Sequence, residues 1–353
     1  MKRMKKKVTI HDIARMANVS AATVSRVLSN SDYPVSQSLR EKILKIAAET
    51  NYVPNLLGKQ LKKNTSTTIG VVVPSIVNPF YSSVILGIEQ TARQRKYTVI
   101  TCNSMHDPEL ESEYIRMLME KQVKGLIIAS IANDGGMFKQ LADMGIHVIA
   151  IDQRVDAEGI SKIDFDFVKG GQMATRHLID KGHRRIAYLT ARMDRPSRRS
   201  IFRGYQEAMK EAGLEPILVE ANADDDHNPL SDFDTGRALA RKLLAAKVQA
   251  TAVFTCNDML AIGVINELSS RNIRVPEEIS VMGFDGIDVG QMIHPPLTTI
   301  KQPDYEMGKM ACTMLLNMMN NENNHQFEII LQPKLIERQS VVSRGGHSET
   351  SGR

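Results

Sequence analysis

The sequence predicts an α/β body with parallel sheets behind a small all-α head, on three observations. The first is a pair of short amphipathic helices joined by a tight turn near the amino end. The second is a regular alternation of apolar runs with helical patterns from residue 69 onward, which specifies βαβ units. The third is charge. The 353 residues carry a formal +5, but residues 1–63 hold 13 Lys/Arg against 4 Asp/Glu, and the remainder holds 32 against 36. A basic head on a mildly acidic body is the footprint of a polyanion-binding domain joined to something else.

The head is organised around Val8 to Leu61. Thr9 can cap a first helix, with Asp12 three positions on completing a capping box. Ile10, Ile13, Ala14 and Ala17 recur at helical spacing on its inner face. Asn18-Val19 makes the turn, and Ser20 caps a second helix. There Val24, Val27 and Leu28 point back to the first helix, while Ala21, Ala22, Thr23, Ser25 and Arg26 are small or polar. Such a helix can enter a major groove: Arg26 can fork onto a guanine edge or a phosphate, and Thr23 and Ser25 can reach phosphates or bases. A third helix, capped by Ser38 with Glu41 and packed through Leu39, Ile43, Ile46 and Ala47, closes the mini-core. Any three-helix bundle has turns of this kind, so the outer face of the second helix carries the functional reading.

From Thr68 the pattern changes. Ile69 to Val73 suits a strand buried on both faces. Helix 79–96, strand 98–101, helix 110–120, strand 125–129, helix 137–144 and strand 147–151 follow. A second unit has helix 168–181, strand 185–189, helix 199–212, helix 235–244, strand 252–255, helix 259–271 and strand 279–282. Leu297 to Ile300 is expected to cross back to the first unit, followed by helix 304–319 and one strand near 328–335. Two α/β lobes with several crossovers enclose a cleft, and open α/β sheets bind ligands beyond their strand carboxyl ends.

Polar residues cluster there. Asn78-Pro79-Phe80-Tyr81 follows the first strand, Asp152 ends the strand at 147–151, Asn257-Asp258 ends that at 252–255, and Asp285 follows Gly283-Phe284. Carboxylates and amides can pair with sugar hydroxyls, and an aromatic ring offers an apolar face. Taken singly, each of these could simply cap a helix or make a turn.

Other chemistries find little support. The basic residues 2–7 are followed by His11, Asp12 and Arg15 where a signal peptide needs an apolar segment, and no uncharged run is long enough to span a bilayer. Cys102, Cys256 and Cys312 are odd in number, far apart and without metal-ligand spacing. The chain therefore reads as cytoplasmic and reduced. Asp224-Asp225-Asp226-His227 reads as a solvated loop, and His177 and His183, six apart, do not share a helical face. Gly135-Gly136 does not make a phosphate-cradling loop. No catalytic, metal or cofactor site is expected, and the chain does not read as an enzyme.

Val8-Thr9-Ile10-His11-Asp12-Ile13-Ala14, the Val19-Ser20-x-x-Thr23-Val24-Ser25-Arg26-Val27-Leu28 run and Asn51-Tyr52-x-Pro54-Asn55 resemble the LacI/GalR family of bacterial transcription regulators, and the likeness extends over nearly the whole chain. The resemblance implies a helix-turn-helix domain at 1–54, a hinge helix and linker at 55–68, a two-lobed periplasmic-binding-protein-like body at 69–345 that binds effector and dimerises, and a disordered tail at 346–353. It implies a homodimeric repressor of carbohydrate-related genes on a pseudo-palindromic operator in double-stranded DNA, controlled by a sugar or sugar derivative. DNA contacts would fall on Thr9, Ile10, His11, Ser20, Ala21, Ala22, Thr23, Ser25, Arg26, Asn55, Gly58 and Leu61, and effector contacts on Phe80, Tyr81, Asp152, Arg199, Asn257 and Asp285. Some relatives tetramerise through a carboxyl-terminal heptad helix; no heptads follow Arg338-Gln339-Ser340, which favours a dimer.

One departure stands out. The family usually places an Arg three residues before the Gly-aromatic pair, here Gly204-Tyr205, and that position is Ile201. Arg192, Arg195, Arg198, Arg199 and Arg203 crowd the preceding stretch instead. They read either as a solvated basic helix start or as a site for an anionic effector such as a sugar phosphate or sugar acid. Residues 69–340 alone would also suit a solute-binding protein for transport, a reading that the basic head and the lack of a signal-peptide pattern oppose.

Leu61 falls where the family places an apolar wedge in the minor groove, which unstacks a base step and kinks the duplex. Leu61→Ala should therefore abolish operator bending, measured by end-to-end fluorescence transfer on a labelled duplex, and unchanged bending would refute the wedge.

Overall fold

The computed structural model describes residues 8–29, 33–52, 67–129, 135–152, 160–222, 231–320 and 326–344. Asn55, Gly58 and Leu61, with most of the expected hinge, lie outside the described residues, as do the acidic stretch 224–227 and the expected tail 346–353. The chain divides into two compact units, residues 1–65 and 66–353.

In the first unit, helices α1 (Ile10–Ala17), α2 (Ala21–Leu28) and α3 (Gln37–Glu49) enclose Ile13, Ala14, Ala17, Val24, Val27 and Ile43. The capping box at Thr9 and Asp12 forms, with the Thr9 amide donating to Asp12 at 3.0 Å. Asn18 closes α1 in the left-handed region at φ 61°, a conformation that asparagine tolerates better than most residues. Ser20 then caps α2 by accepting from the Thr23 amide at 3.1 Å. The expected cap at Ser38 is corrected. The helix begins at Gln37, Ser36 occupies the cap position with its hydroxyl 3.4 Å from that of Ser38 but without a side-chain bond to a first-turn amide, and Glu41 accepts from Gln37. The buried positions Ile43 and Ala47 fix the phase of α3, whatever its first turn does.

The second unit holds two six-stranded sheets. The first contains β1 (Thr68–Val73), β2 (Thr98–Asn103), β3 (Gly125–Ile128), β4 (His147–Ile151), β5 (Ser161–Phe165) and a late strand, β11 (Glu328–Leu331). Its order is β11-β5-β4-β3-β1-β2, parallel throughout. The second contains β6 (Ile186–Thr190), β7 (Ile217–Glu220), β8 (Ala252–Thr255), β9 (Ser280–Asp285), β10 (Thr298–Lys301) and β12 (Lys334–Ile336), in the order β12-β10-β9-β8-β6-β7. Only the β10–β12 pair is antiparallel. Helices α4 (Pro79–Gln94), α5 (Pro108–Glu120), α6 (Gly135–Asp143) and α12 (Asp304–Met319) belong to the first lobe. Helices α7 (Phe167–Asp180), α8 (Pro196–Glu211), α9 (Asp232–Ala245), α10 (Asp258–Ser270) and the single turn α11 (Val289–Met292) belong to the second.

The chain passes between the lobes three times: from β5 into α7, from β10 into α12, and from β11 to β12. Two expectations are corrected here. Thr298–Lys301 does not cross; it pairs in parallel with Met282–Asp285, and the crossing is the Gln302-Pro303 that follows. The strand expected at 328–335 is two strands in two different sheets, split at Gln332-Pro333, where proline has no N–H for a ladder. Strands β5 and β7 were not foreseen.

The sheets' helices pack closely where glycines face each other. A Cβ on Gly87 of α4 would sit 2.3 Å from the Tyr305 carbonyl oxygen, and one on Gly308 of α12 2.0 Å from that of Val84. In the second lobe, a Cβ on Gly204 of α8 would lie 2.1 Å from the Val168 carbonyl oxygen of α7. Gly204→Ala must therefore push α8 away from α7, and it should cost about 1–3 kcal/mol, the usual range for overpacking. Urea unfolding checks this, and an unchanged midpoint would contradict the contact.

Candidate effector cavity and DNA-reading surface

On the head, Ala22, Ser25 and Arg26 are exposed on α2, and Ala21 and Thr23 are half-buried. Thr9, His11 and Ser20 are also exposed, whereas Ile10 packs partly against the head core. The Ser20 and Thr23 hydroxyls lie 2.9 Å apart, so the cap also positions Thr23. The Arg26 guanidinium sits 4.0 Å over the ring of Tyr33, a cation–π contact that steadies a long exposed side chain near the end of α2. Tyr33, 48% exposed, was not among the expected residues.

In the body, a cavity of about 410 Å³, counted to its open mouth, lies at the strand carboxyl ends. Phe80, Tyr81, Asp152, Asn257 and Asp285 all line it, five of the six expected effector residues. Their positions follow from local structure. Asn78 caps α4 by accepting from the Phe80 amide at 3.0 Å, which starts the helix with Phe80 and Tyr81 buried and edge-to-face, 5.0 Å apart. Asn257 caps α10 by accepting from Leu260 at 2.8 Å, leaving its amide N–H groups to offer a ligand. The capping role and the cavity role therefore coincide at Asn257. Asp152 and Asp285 both have positive φ, 59° and 116°, where each strand ends abruptly at the cavity wall.

The acids are held in dry surroundings. Tyr81 Oη donates to Asp152 at 2.6 Å and Gln302 Nε2 donates to Asp285 at 2.7 Å. Burial pushes Asp152 up to about 7, against the opposing hydrogen bond from Tyr81 and the charge of Arg195. Burial, then repulsion from Asp258 and Asp152, holds Asp285 well above the usual carboxylate range.

The sixth expected residue does not join them. Arg199 is exposed and donates to the Met193 carbonyl at 2.7 Å, outside the lining. Arg195, just before α8, and Arg198 and Ile201 on its first turns line the cavity instead, at three-residue spacing. Arg198 reaches Asp194 at 3.3 Å and Asp232 at 3.9 Å. Arg195 meets His106, from the loop between β2 and α5 in the other lobe. Phe167, Asp232 and Gln302 complete the polar and aromatic lining missed in the sequence. Helical phase would have separated Arg198 from Arg199, because Ile201, Tyr205 and Ala208 mark the inner face.

Residues 9–55 match the bacterial regulatory proteins of the lacI family, and residues 175–341 a periplasmic binding protein-like domain. Over 336 residues the chain is 35% identical to the HTH-type transcriptional repressor PurR of Photobacterium profundum, covering 94% of this chain and 98% of the relative. The chain belongs to the LacI family. It is 33% identical to the ribose operon repressor of Haemophilus influenzae, over 95% of this chain and 99% of that protein. The lac repressor dimer bound to operator and the anti-inducer ONPF superposes with a TM-score of 0.81 at 27% identity, covering 96% of this chain and all of that one. A member of this family is a DNA-binding transcriptional regulator and not an enzyme.

The position of Asp152 carries a pH signature. Its folded-state pKa of about 7 lies above the ordinary 3.8, so its contribution to stability is present in acid and is lost as pH rises through 7. Asp152→Asn, which still accepts from Tyr81, should therefore gain stability relative to the wild type between pH 5 and pH 8. Urea midpoints of both proteins across that range check it; a gap independent of pH would contradict it.

Proposed function

We propose that this LacI-family chain is a homodimeric repressor of carbohydrate-related genes, acting in the cytoplasm. Residues 1–54 read the operator, 55–68 form hinge and linker, and 69–345 bind effector and dimerise. Each α2 presents Ala21, Ala22, Thr23, Ser25 and Arg26 to one half of a pseudo-palindrome. Thr9, Ile10, His11 and Ser20 support it at the groove edge, and Asn55, Gly58 and Leu61 act at the operator centre. The effector is a sugar or sugar derivative in the body's cavity. That cavity carries the reading: rings from Phe80 and Phe167 beside acids and amides from Asp152, Asn257, Asp285 and Gln302 suit a compact molecule rich in hydroxyls. The ribose repressor and operator-bound lac repressor among its relatives support both halves. No described helix is long and apolar enough to cross a membrane.

Ligand and operator compete or cooperate through the angle between lobes, and their coupling is reciprocal. Selection of duplexes from a random pool, followed by anisotropy titration in several salt concentrations, tests the reading. A pseudo-palindrome should bind at least about a thousandfold tighter than random DNA. Binding that tracks salt without sequence preference would refute it.

A further inference from the structure

We infer that Tyr33 is a positioning residue for DNA reading: its ring restrains the Arg26 guanidinium so that Arg26 can fork onto a guanine edge in each operator half. The inference rests on the proposed reading of α2 as the operator-facing helix and adds to it a residue from outside that helix.

Arg26 is the one long polar side chain of α2, whose sequence is otherwise Ala, Thr, Val, Ser and Leu. It is exposed, and its neighbours along the same face are small: Ala22 and Thr23 one turn before it, and Ser29 just past the helix end. The Thr23 hydroxyl lies with that of Ser20, and Ser29 Oγ donates to the Arg26 carbonyl at 3.2 Å, so neither holds the guanidinium. A long side chain among such neighbours has much rotamer freedom to lose when it binds. The Tyr33 ring removes part of that freedom beforehand, with the guanidinium carbon 4.0 Å from the ring centroid.

The ring is itself anchored. Pro34 follows Tyr33, and a proline restricts the residue before it to extended backbone. Val35 then packs against the head core, and Ser36 opens α3. The chain beyond Tyr33 is thus tied to the mini-core while the ring stays at the surface beside Arg26.

The two kinds of DNA contact make different demands on an arginine. A phosphate can be met from many directions. A guanine edge presents O6 and N7 side by side and needs two N–H groups in one plane. The ring attracts the cation through its π face and offers no anionic oxygen, so this contact restrains the guanidinium without engaging its N–H donors. Restraint of that kind favours the planar fork over a loose phosphate contact. Sequence preference at one base pair would therefore depend on a side chain that need not touch the base.

Anisotropy titrations test this with the full chain as wild type, Arg26→Ala, Tyr33→Leu, Tyr33→Phe and the double variant Arg26→Ala with Tyr33→Leu. The duplexes are the operator selected from the random pool and its single base-pair variants. Arg26→Ala marks the base pair that Arg26 reads. At that pair Tyr33→Leu should lower the preference for guanine about two- to fivefold, the range of an exposed cation–π contact, leaving the other pairs and the salt slope unchanged. Tyr33→Phe should keep the preference, and Tyr33→Leu should add nothing to Arg26→Ala. Each preference is a ratio of two affinities of one protein, so a variant that folds only in part still reports it. An unchanged preference in Tyr33→Leu, or all duplexes weakened alike, would overturn the inference. Equal losses in Tyr33→Phe and Tyr33→Leu would assign the effect to the hydroxyl and overturn it too. Should Arg26→Ala weaken every duplex alike and reduce the salt slope by about 1, Arg26 is a phosphate contact, and the inference falls while the regulator reading stands. A wild type without any sequence preference would refute the regulator reading and the inference together.

Discussion

The carboxylate of Asp258 is fully buried, and it accepts from Thr299 Oγ1 at 2.5 Å and from the Ile287 amide at 2.8 Å. These two bonds tie the start of α10 to β10 and to the loop after β9. One residue beyond the end of β10, Gln302 begins a crossing between lobes and holds Asp285 on the cavity wall. A buried acid that lost these donors would carry its full desolvation cost, so the strand ends, the crossing and the cavity wall stand or fall together. Lys301 reinforces the same corner by donating to the Gly286 carbonyl and pairing with Asp304 at the start of α12. The cavity floor and the hinge are therefore one structure.

That shared corner is where the proposed action of a ligand at a distance would start. Three crossings join the lobes along one edge, and the proposed response to ligand is a hinge motion about it. A molecule touching both walls has a different affinity for each closure state, and only that difference shifts the equilibrium. Asp152 and Tyr81 face the cavity from the first lobe, and Asn257, Asp285 and Arg198 from the second. For a regulator, coupling of about 1–3 kcal/mol between ligand and operator suffices.

Much of the architecture was legible because it rests on local pattern. Ile69–Val73 reads as a doubly buried strand and is one. Thr9-x-x-Asp12 and Ser20 mark helix starts that form as written. The missed strands have a non-local cause. Ser161–Phe165 contains Lys162 and Asp164, which break an apolar run, and only its place between β4 and β11 makes it a strand. The split at Pro333 depends on which sheet receives each half, and no spacing records that. In the cavity, residues just past strands were found because the α/β plan puts them there. His106 escaped notice because it reaches Arg195 from the other lobe across 89 positions of sequence.

Closure of the body in response to ligand is measured by the distance between the lobes. Spin labels at Glu113→Cys on α5 and Lys210→Cys on α8 would sit on exposed positions, while the native Cys102, Cys256 and Cys312 are buried. Pulsed dipolar spectroscopy would be recorded on the operator-bound protein, with and without a sugar or sugar acid that changes operator affinity. Two distinct distance distributions are expected, with their populations shifted by the ligand. One distribution, unchanged while operator affinity changes, would contradict it.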